Sequence, residues 1–167
     1  MRRTRFADWD CSVARATDIL GDWWTPLVVR SALLGVRRFD DFVEMLGIPR
    51  NVLSERLARL VDEGILDKVA YQERPVRHEY RLTEKGIGLY PVIVTLLEWG
   101  NEHFEWPDDE PPVHLVDRDT GERIEPVLVD RRTGEPLDPR RTKAVYVRDP
   151  KAGRAAVPDR SGADART

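Results

Sequence analysis

Residues 47–66 read GIPRNVLSERLARLVDEGIL. Leu53, Leu57, Leu60 and Val61 recur at three- and four-residue spacing and so line one side of a helix. Gly64 stops that pattern. The chain then changes at once to two short runs that flank the Pro-bearing turn ERPV and read as strands: ILDKVAYQ, which alternates only loosely, and RHEYRLT, which alternates better. A helix that hands over directly to a two-stranded hairpin constrains the fold more than any other feature. Such a hairpin is too small to be stable alone, so it must lean on helices, and the preceding chain supplies three more.

The run SVARATDIL, residues 12–20, places Val13, Ala16, Ile19 and Leu20 on one side, with Ser12 expected as N-cap. WWTPLVVRSALLG follows, with Thr25 capping, Pro26 at the first helical position and Gly35 in a left-handed cap. RFDDFVEMLG forms a short third helix through Phe39, Phe42, Val43 and Leu46, with Asp40 or Asp41 favoured by the dipole at its start. The turn Gly47-Ile48-Pro49 leads into the fourth helix, expected from about Pro49 to Glu63. Beyond the hairpin, Thr83-Glu84 opens one long helix through Leu89, Val92, Ile93, Leu96, Leu97, Trp99 and Phe104. Its apolar residues cover more of the circumference than one small domain can bury, which marks a partner helix. The expected fold class is mainly α with small β: a winged helix-turn-helix plus a C-terminal β-hairpin appendage.

Four segments follow. Residues 1–104 are expected to form the winged-helix domain, and the acidic, Pro-rich EWPDDEPP at 105–112 a linker. VDRDTGE at 116–122 recurs as VDRRTGE at 129–135. Asp-x-x-Thr-Gly between apolar runs is a turn, since Asp accepts from its own backbone and Gly takes the positive φ. Residues 113–148 therefore read as two small hairpins. Asp117, Thr120, Asp130 and Thr133 also have the spacing of zinc-ribbon knuckles with every Cys replaced, and Asp with Thr cannot build a structural zinc site. The pair is either a platform across a dimer or a stabilising appendage. Residues 149–167 lack apolar content and are expected to be disordered.

Composition excludes several classes. Twenty-seven Lys and Arg against 30 Asp and Glu leave a formal charge of −3. The chain is therefore not coated with positive charge, although a local basic stripe suffices for nucleic acid. One Cys and three His leave no disulfide framework and no metal cluster, and no cofactor is expected. No apolar run approaches the roughly 20 residues of a membrane span, and MRRTRFADWDCS lacks a signal core. The expectation is a cytoplasmic protein without a membrane partner. There is no Gly-rich phosphate loop, nucleophile motif or paired His, so an enzyme is not expected; His78-Glu79 is no zincin half-motif, because residue 82 is Leu.

CSVARATDILGDWWTPLVVRSALLGVRRFDDF, IPRNVLSERLARLVDEGIL, RPVRHEYRLTEKG and LEWG occur in this order over residues 9–104. In these motifs the chain resembles the HxlR-type winged-helix transcriptional regulators, relatives of the MarR group. The resemblance implies a homodimer, formed through its terminal helices, on double-stranded operator DNA with a pseudo-palindrome. A repressor is the expected role. A winged-helix protein-interaction module that has lost DNA binding is the alternative from another class.

Arg50, Asn51 and Ser54 fall on the outer face near the start of the fourth helix. There Arg can take guanine O6/N7, Asn adenine N6/N7 and Ser a phosphate. Glu55 would repel phosphate unless it accepts from cytosine or pairs with Arg59. Arg56 and Arg59 flank the apolar stripe and suit either phosphate or pairs with Asp62 and Glu63. Arg74 and Arg77, with His78 a weaker case, suit either a wing tip on phosphates or in the minor groove, or an ordinary polar hairpin neutralised by Glu73 and Glu79. Arg37 and Arg38 either grip the backbone or are ordinary turn residues. Leu89, Ile93, Leu96 and Leu97 are the expected dimer face. Cys11, just before the first helix, is either a packing residue or a sensor, since thiols at helix N-termini gain reactivity. In regulators of this type the resemblance implies a second, partner Cys, which this chain lacks. The effector, whether small molecule or oxidant, stays unidentified.

Overall fold

The computed structural model describes Phe6 and residues 8–147; the expected tail at 149–167 lies outside them. The chain divides into two compact units, Met1–Asp22 with Ala144–Thr167, and Trp23–Lys143. The first contains α1, Ser12–Leu20. Cys11, not Ser12, is its N-cap residue, in extended backbone and without a side-chain cap bond. Within this unit the buried Asp18 accepts from the Phe6 N–H at 3.3 Å.

The second unit carries α2 (Thr25–Leu33), α3 (Phe39–Leu46) and α4 (Arg50–Asp62). They are followed by β1 (Leu66–Glu73), β2 (Val76–Leu82), α5 (Glu84–Ile87) and α6 (Tyr90–His103). Its core is made by Val28 and Val29 of α2, Phe42 of α3, Leu53, Leu57 and Leu60 of α4, and Ile48, Ile65, Leu66 and Val94. Phe42, Leu53, Leu57 and Leu60 sit at the helical spacing read from the sequence, and Val61 is half-buried at the edge of its stripe. Gly35, Gly47 and Gly64 end α2, α3 and α4 with φ of 95°, 61° and 65°, a region that strains any side chain.

β1 and β2 pair antiparallel from Leu66↔Leu82 to Glu73↔Val76, with a bulge between Ala70 and Gln72. The chain before α3 joins them: Arg38 bridges Glu79, and the Tyr80 N–H donates to the Arg37 carbonyl at 2.8 Å. The wing is thus braced on the side of the helix-turn-helix.

The long helix expected after Thr83 is broken. α5 ends at Ile87, Gly88 and Leu89 intervene, and α6 starts with Pro91 in its first turn. Pro91 has no N–H to give the Ile87 carbonyl and its ring would strike that carbonyl, so one continuous helix is forbidden there. Thr83 caps α5, its Oγ1 accepting from the Gly86 N–H at 3.0 Å and donating to the Gly64 carbonyl at 2.7 Å. A Cβ on the buried Gly86 would collide with the Ile65 carbonyl, so a glycine is required where α5 meets the start of the wing.

After α6 a short 3-10 turn at Pro107–Asp109 lies within the expected linker, and Asn101 Nδ2 donates to the Val113 carbonyl at 3.0 Å. In the repeat, Asp117 Oδ1 accepts from the N–H groups of Asp119 and Thr120, each at 2.9 Å, and Asp130 Oδ1 from Arg132 N–H at 2.8 Å. The N–H bonds from Thr120 and Asp119 hold the Asp117 carboxyl below its usual range, so that turn keeps its charged acceptor until the pH falls below that of an ordinary aspartate. Thr120 and Thr133 accept in turn from Glu122 and Glu135, so all four knuckle-position side chains serve their own turns. Each repeat closes by a single bridge, Val116↔Arg123 or Val129↔Pro136, rather than by a strand ladder. In each, two backbone bonds flank the bridge: Asp117 N–H to the Glu122 carbonyl and Ile124 N–H to Leu115, then Asp130 N–H to Glu135 and Leu137 N–H to Leu128. No group of three or more metal-ligating side chains occurs among the described residues.

Candidate nucleic-acid interface

The turn Gly47-Ile48-Pro49 sets the start of α4, with Ile48 buried beneath it and Pro49 as N-cap residue. Because Leu53, Leu57 and Leu60 face the core, the opposite side of α4 is forced outward. Arg50, Asn51, Ser54, Glu55 and Ala58 are all exposed there. Beside it opens a groove of about 530 Å³ between the starts of α3 and α4 and the wing. Arg38, Arg50, Lys68 and Arg77 line it against Asp40 and Asp41, so this surface is net positive on a chain whose formal charge is −3. Burial pushes the hydroxyl of Tyr80, also in the groove, above the usual tyrosine range.

Arg50 Nη1 donates to Asp40 Oδ1 at 2.8 Å, and its guanidinium carbon lies 4.8 Å from the centre of the Phe39 ring. At the wing, the turn between β1 and β2 carries Arg74, whose carbonyl accepts from Gln72 Nε2 at 3.1 Å; Arg74 and Arg77 are exposed. Such a surface sets hydrogen-bond donors on a helix and cations on a hairpin either side of a groove.

The HxlR-like helix-turn-helix family model matches residues 19–108, more than half of the chain. The chain belongs to that family. It is a transcriptional regulator of the winged helix-turn-helix type. It is 47% identical over 117 residues to the uncharacterized HTH-type transcriptional regulator Rv3095 of Mycobacterium tuberculosis, covering 70% of this chain and 73% of the relative. The solved structure of PA1607, a candidate transcription factor, superposes with a TM-score of 0.77 at 38% identity, over 85% of this chain and 99% of its own. Residues 1–104 make up under two thirds of the 167-residue chain, so that overlay extends into the repeat region. The redox regulator HypR in its reduced form superposes with a TM-score of 0.53 at 29% identity, over 55% of this chain and 92% of its own.

Not every basic residue of this HxlR-like chain reaches the outward face. Arg56 and Arg59 are half-buried at the flank of α4, and Arg56 Nη1 lies 3.8 Å from Glu55 Oε2. Arg38 is engaged by the wing: its guanidinium carbon sits 4.8 Å from the Tyr71 ring centre and its Nε 3.8 Å from Glu79. Arg37 has an exposed side chain on a backbone pinned by Tyr80. His78 is half-buried in the groove wall.

Sequence reasoning missed Lys68 and Tyr71 as groove residues. Lys68 pairs with Tyr80 and Ala70 with His78, so plain alternation would turn Tyr71 to the opposite face. The bulge after Ala70 returns it to the groove. It missed the Arg50–Asp40 pair as well, because the partners stand ten residues apart across a turn and no helical spacing announces them.

On α6, Leu96 is exposed, while Ile93 and Leu97, and Leu89 just before the helix, are half-buried. The uncovered stripe is Val92, Leu96 and Trp99, continued by Phe104. Trp99 stacks on His103 at 5.0 Å between ring centres and meets Phe104 edge-on at 5.6 Å. No helix among the described residues is long and apolar enough to cross a membrane.

Proposed function

We propose that the protein is a sequence-specific DNA-binding repressor that acts in the cytoplasm as a homodimer on a pseudo-palindromic operator. The observation that carries this reading is the exposed Arg50-Asn51-Ser54 face at the start of α4, beside a net-positive groove and the wing. α4 enters the major groove; Arg50 reads guanine, Asn51 reads adenine and Ser54 takes a phosphate. Arg74 and Arg77 of the wing hold the flanking backbone, with Arg37 as a further grip. Arg56, Arg59 and Arg38 support these contacts from the flanks. The apolar stripe of α6 meets its copy across the dimer. In domain terms, residues 1–104 bind DNA and dimerise, 105–112 connect, and 113–148 stabilise.

A duplex selected by the protein from a random-sequence library provides the test. Arg50→Ala is expected to relax preference at one base position, losing on the order of 1–3 kcal/mol of discrimination. Arg74→Ala should instead weaken selected and scrambled duplexes alike and flatten the salt dependence of binding. Wild-type preference in Arg50→Ala, or an unchanged salt slope in Arg74→Ala, rejects the corresponding role.

The overlay on HypR, solved in both reduced and oxidized forms, favours a second reading in which Cys11 makes this regulator thiol-responsive. Cys11 is half-buried at the start of α1 and is the chain's one cysteine. Oxidation would therefore cap the thiol or join two subunits. Titration with a mild oxidant should release DNA from wild type but not from Cys11→Ser. Equal behaviour of the two proteins makes Cys11 a packing residue.

A further inference from the structure

Arg50 is held from two directions. Asp40 accepts from Nη1 at 2.8 Å, and the Phe39 ring lies 4.8 Å from the guanidinium carbon. Phe39 and Asp40 open α3, across the Gly47 turn from Arg50. The ring fixes the plane of the guanidinium and the carboxylate fixes its direction in that plane. Stability does not explain the pair: the side chains are 65% and 79% exposed, and ion pairs this open contribute little to folding.

Recognition explains it better. A guanidinium has five N–H donors in a planar fork. One bond from Nη1 to Asp40 leaves another edge free for a bidentate acceptor pair such as guanine O6 and N7. A free arginine loses rotamer entropy when it docks, and an arginine already held loses less. The carboxylate also discriminates. A phosphate drawn to Arg50 would have to approach Asp40, with Asp41 beside it at the groove wall, and like charges so placed penalise the wrong partner.

We propose that Asp40 is a specificity-determining positioning residue, which with Phe39 aims Arg50 at a guanine edge and withholds it from the phosphate backbone. The proposal rests on the reading of α4 as the base-reading helix. It extends that reading to a residue of α3 that touches no base itself.

The test compares wild type, Asp40→Asn, Arg50→Ala and the double variant. Each is measured on the duplex selected by wild type and on a scrambled duplex of the same composition. Asn keeps the shape of Asp and removes its charge. Asp40→Asn is expected to stay folded, with only a small drop in melting midpoint from the charge lost at the start of α3, and to lose about tenfold in the ratio of selected to scrambled affinity. Arg50→Ala should lose the same preference, and the double variant no more than Arg50→Ala alone, because Asp40 acts through Arg50. An Asp40→Asn protein with wild-type preference, or a double variant in which the two losses add in full, overturns the proposal and leaves the role of Arg50 standing. A wild-type protein that shows no preference between the duplexes overturns the reading of α4, and the proposal with it.

Discussion

Aspartate at both Val92 and Leu96 is expected to split the protein into monomers and to weaken operator binding on the order of a hundredfold, the avidity lost when two linked half-sites are bound singly. Val92, Leu96 and Trp99 are 43%, 53% and 53% exposed along one side of α6, and Phe104 is 58% exposed beyond them. Full burial of such side chains is worth roughly 1.5–3 kcal/mol each, so a copy of the same stripe is a strong partner. Two carboxylates placed there would be desolvated without counter-charges. Because both positions are open in the single chain, the variant should keep its helical content and melting midpoint while sedimenting as a monomer. A folded variant that remains a dimer moves the interface off α6. Ile93 and Leu97 are unsuited to this test: they are half-buried, and charge there would damage the protomer itself.

Phe42→Ala is expected to lower stability by about 3–5 kcal/mol, the range for emptying a buried phenylalanine site. Phe42 is 0% exposed and lies in α3, the helix that braces α4. Against a total of roughly 5–15 kcal/mol for an ordinary domain, such a loss removes about a fifth of the stability or more. Met45→Ala, in the same helix but 49% exposed, should shift the midpoint far less. Denaturant titration of both separates burial from helix propensity. Equal effects would mean that α3 is not packed as described.

The elements that could be read from the sequence are those in which local rules and packing agree. α4 is the clearest: its buried leucines recur at helical spacing, Pro49 and Gly64 bound it, and the same spacing leaves Arg50, Asn51 and Ser54 outside. The wing followed from a change of period. What escaped depends on contacts between distant residues or on one stereochemical veto. Pro91 breaks an apolar pattern that otherwise runs unbroken from Thr83. The bulge after Ala70 carries Tyr71 across the strand. The anchoring of Arg38 by Tyr71 and Glu79, and of Arg50 by Asp40, joins residues that no periodicity relates. On α6 the sequence showed too many apolar residues for one domain, and only the packing of Val94 told which of them stay uncovered.

The central claim is that the face of α4 beside the wing binds duplex DNA. Its most direct measurement is the affinity of the wild-type protein for the library-selected duplex across a range of salt concentration. The account predicts tight, selective binding whose logarithm falls linearly with the logarithm of salt, with a slope of several units that reflects several phosphate contacts. Absence of binding at low salt would contradict it, and would leave the winged helix as a protein-interaction module.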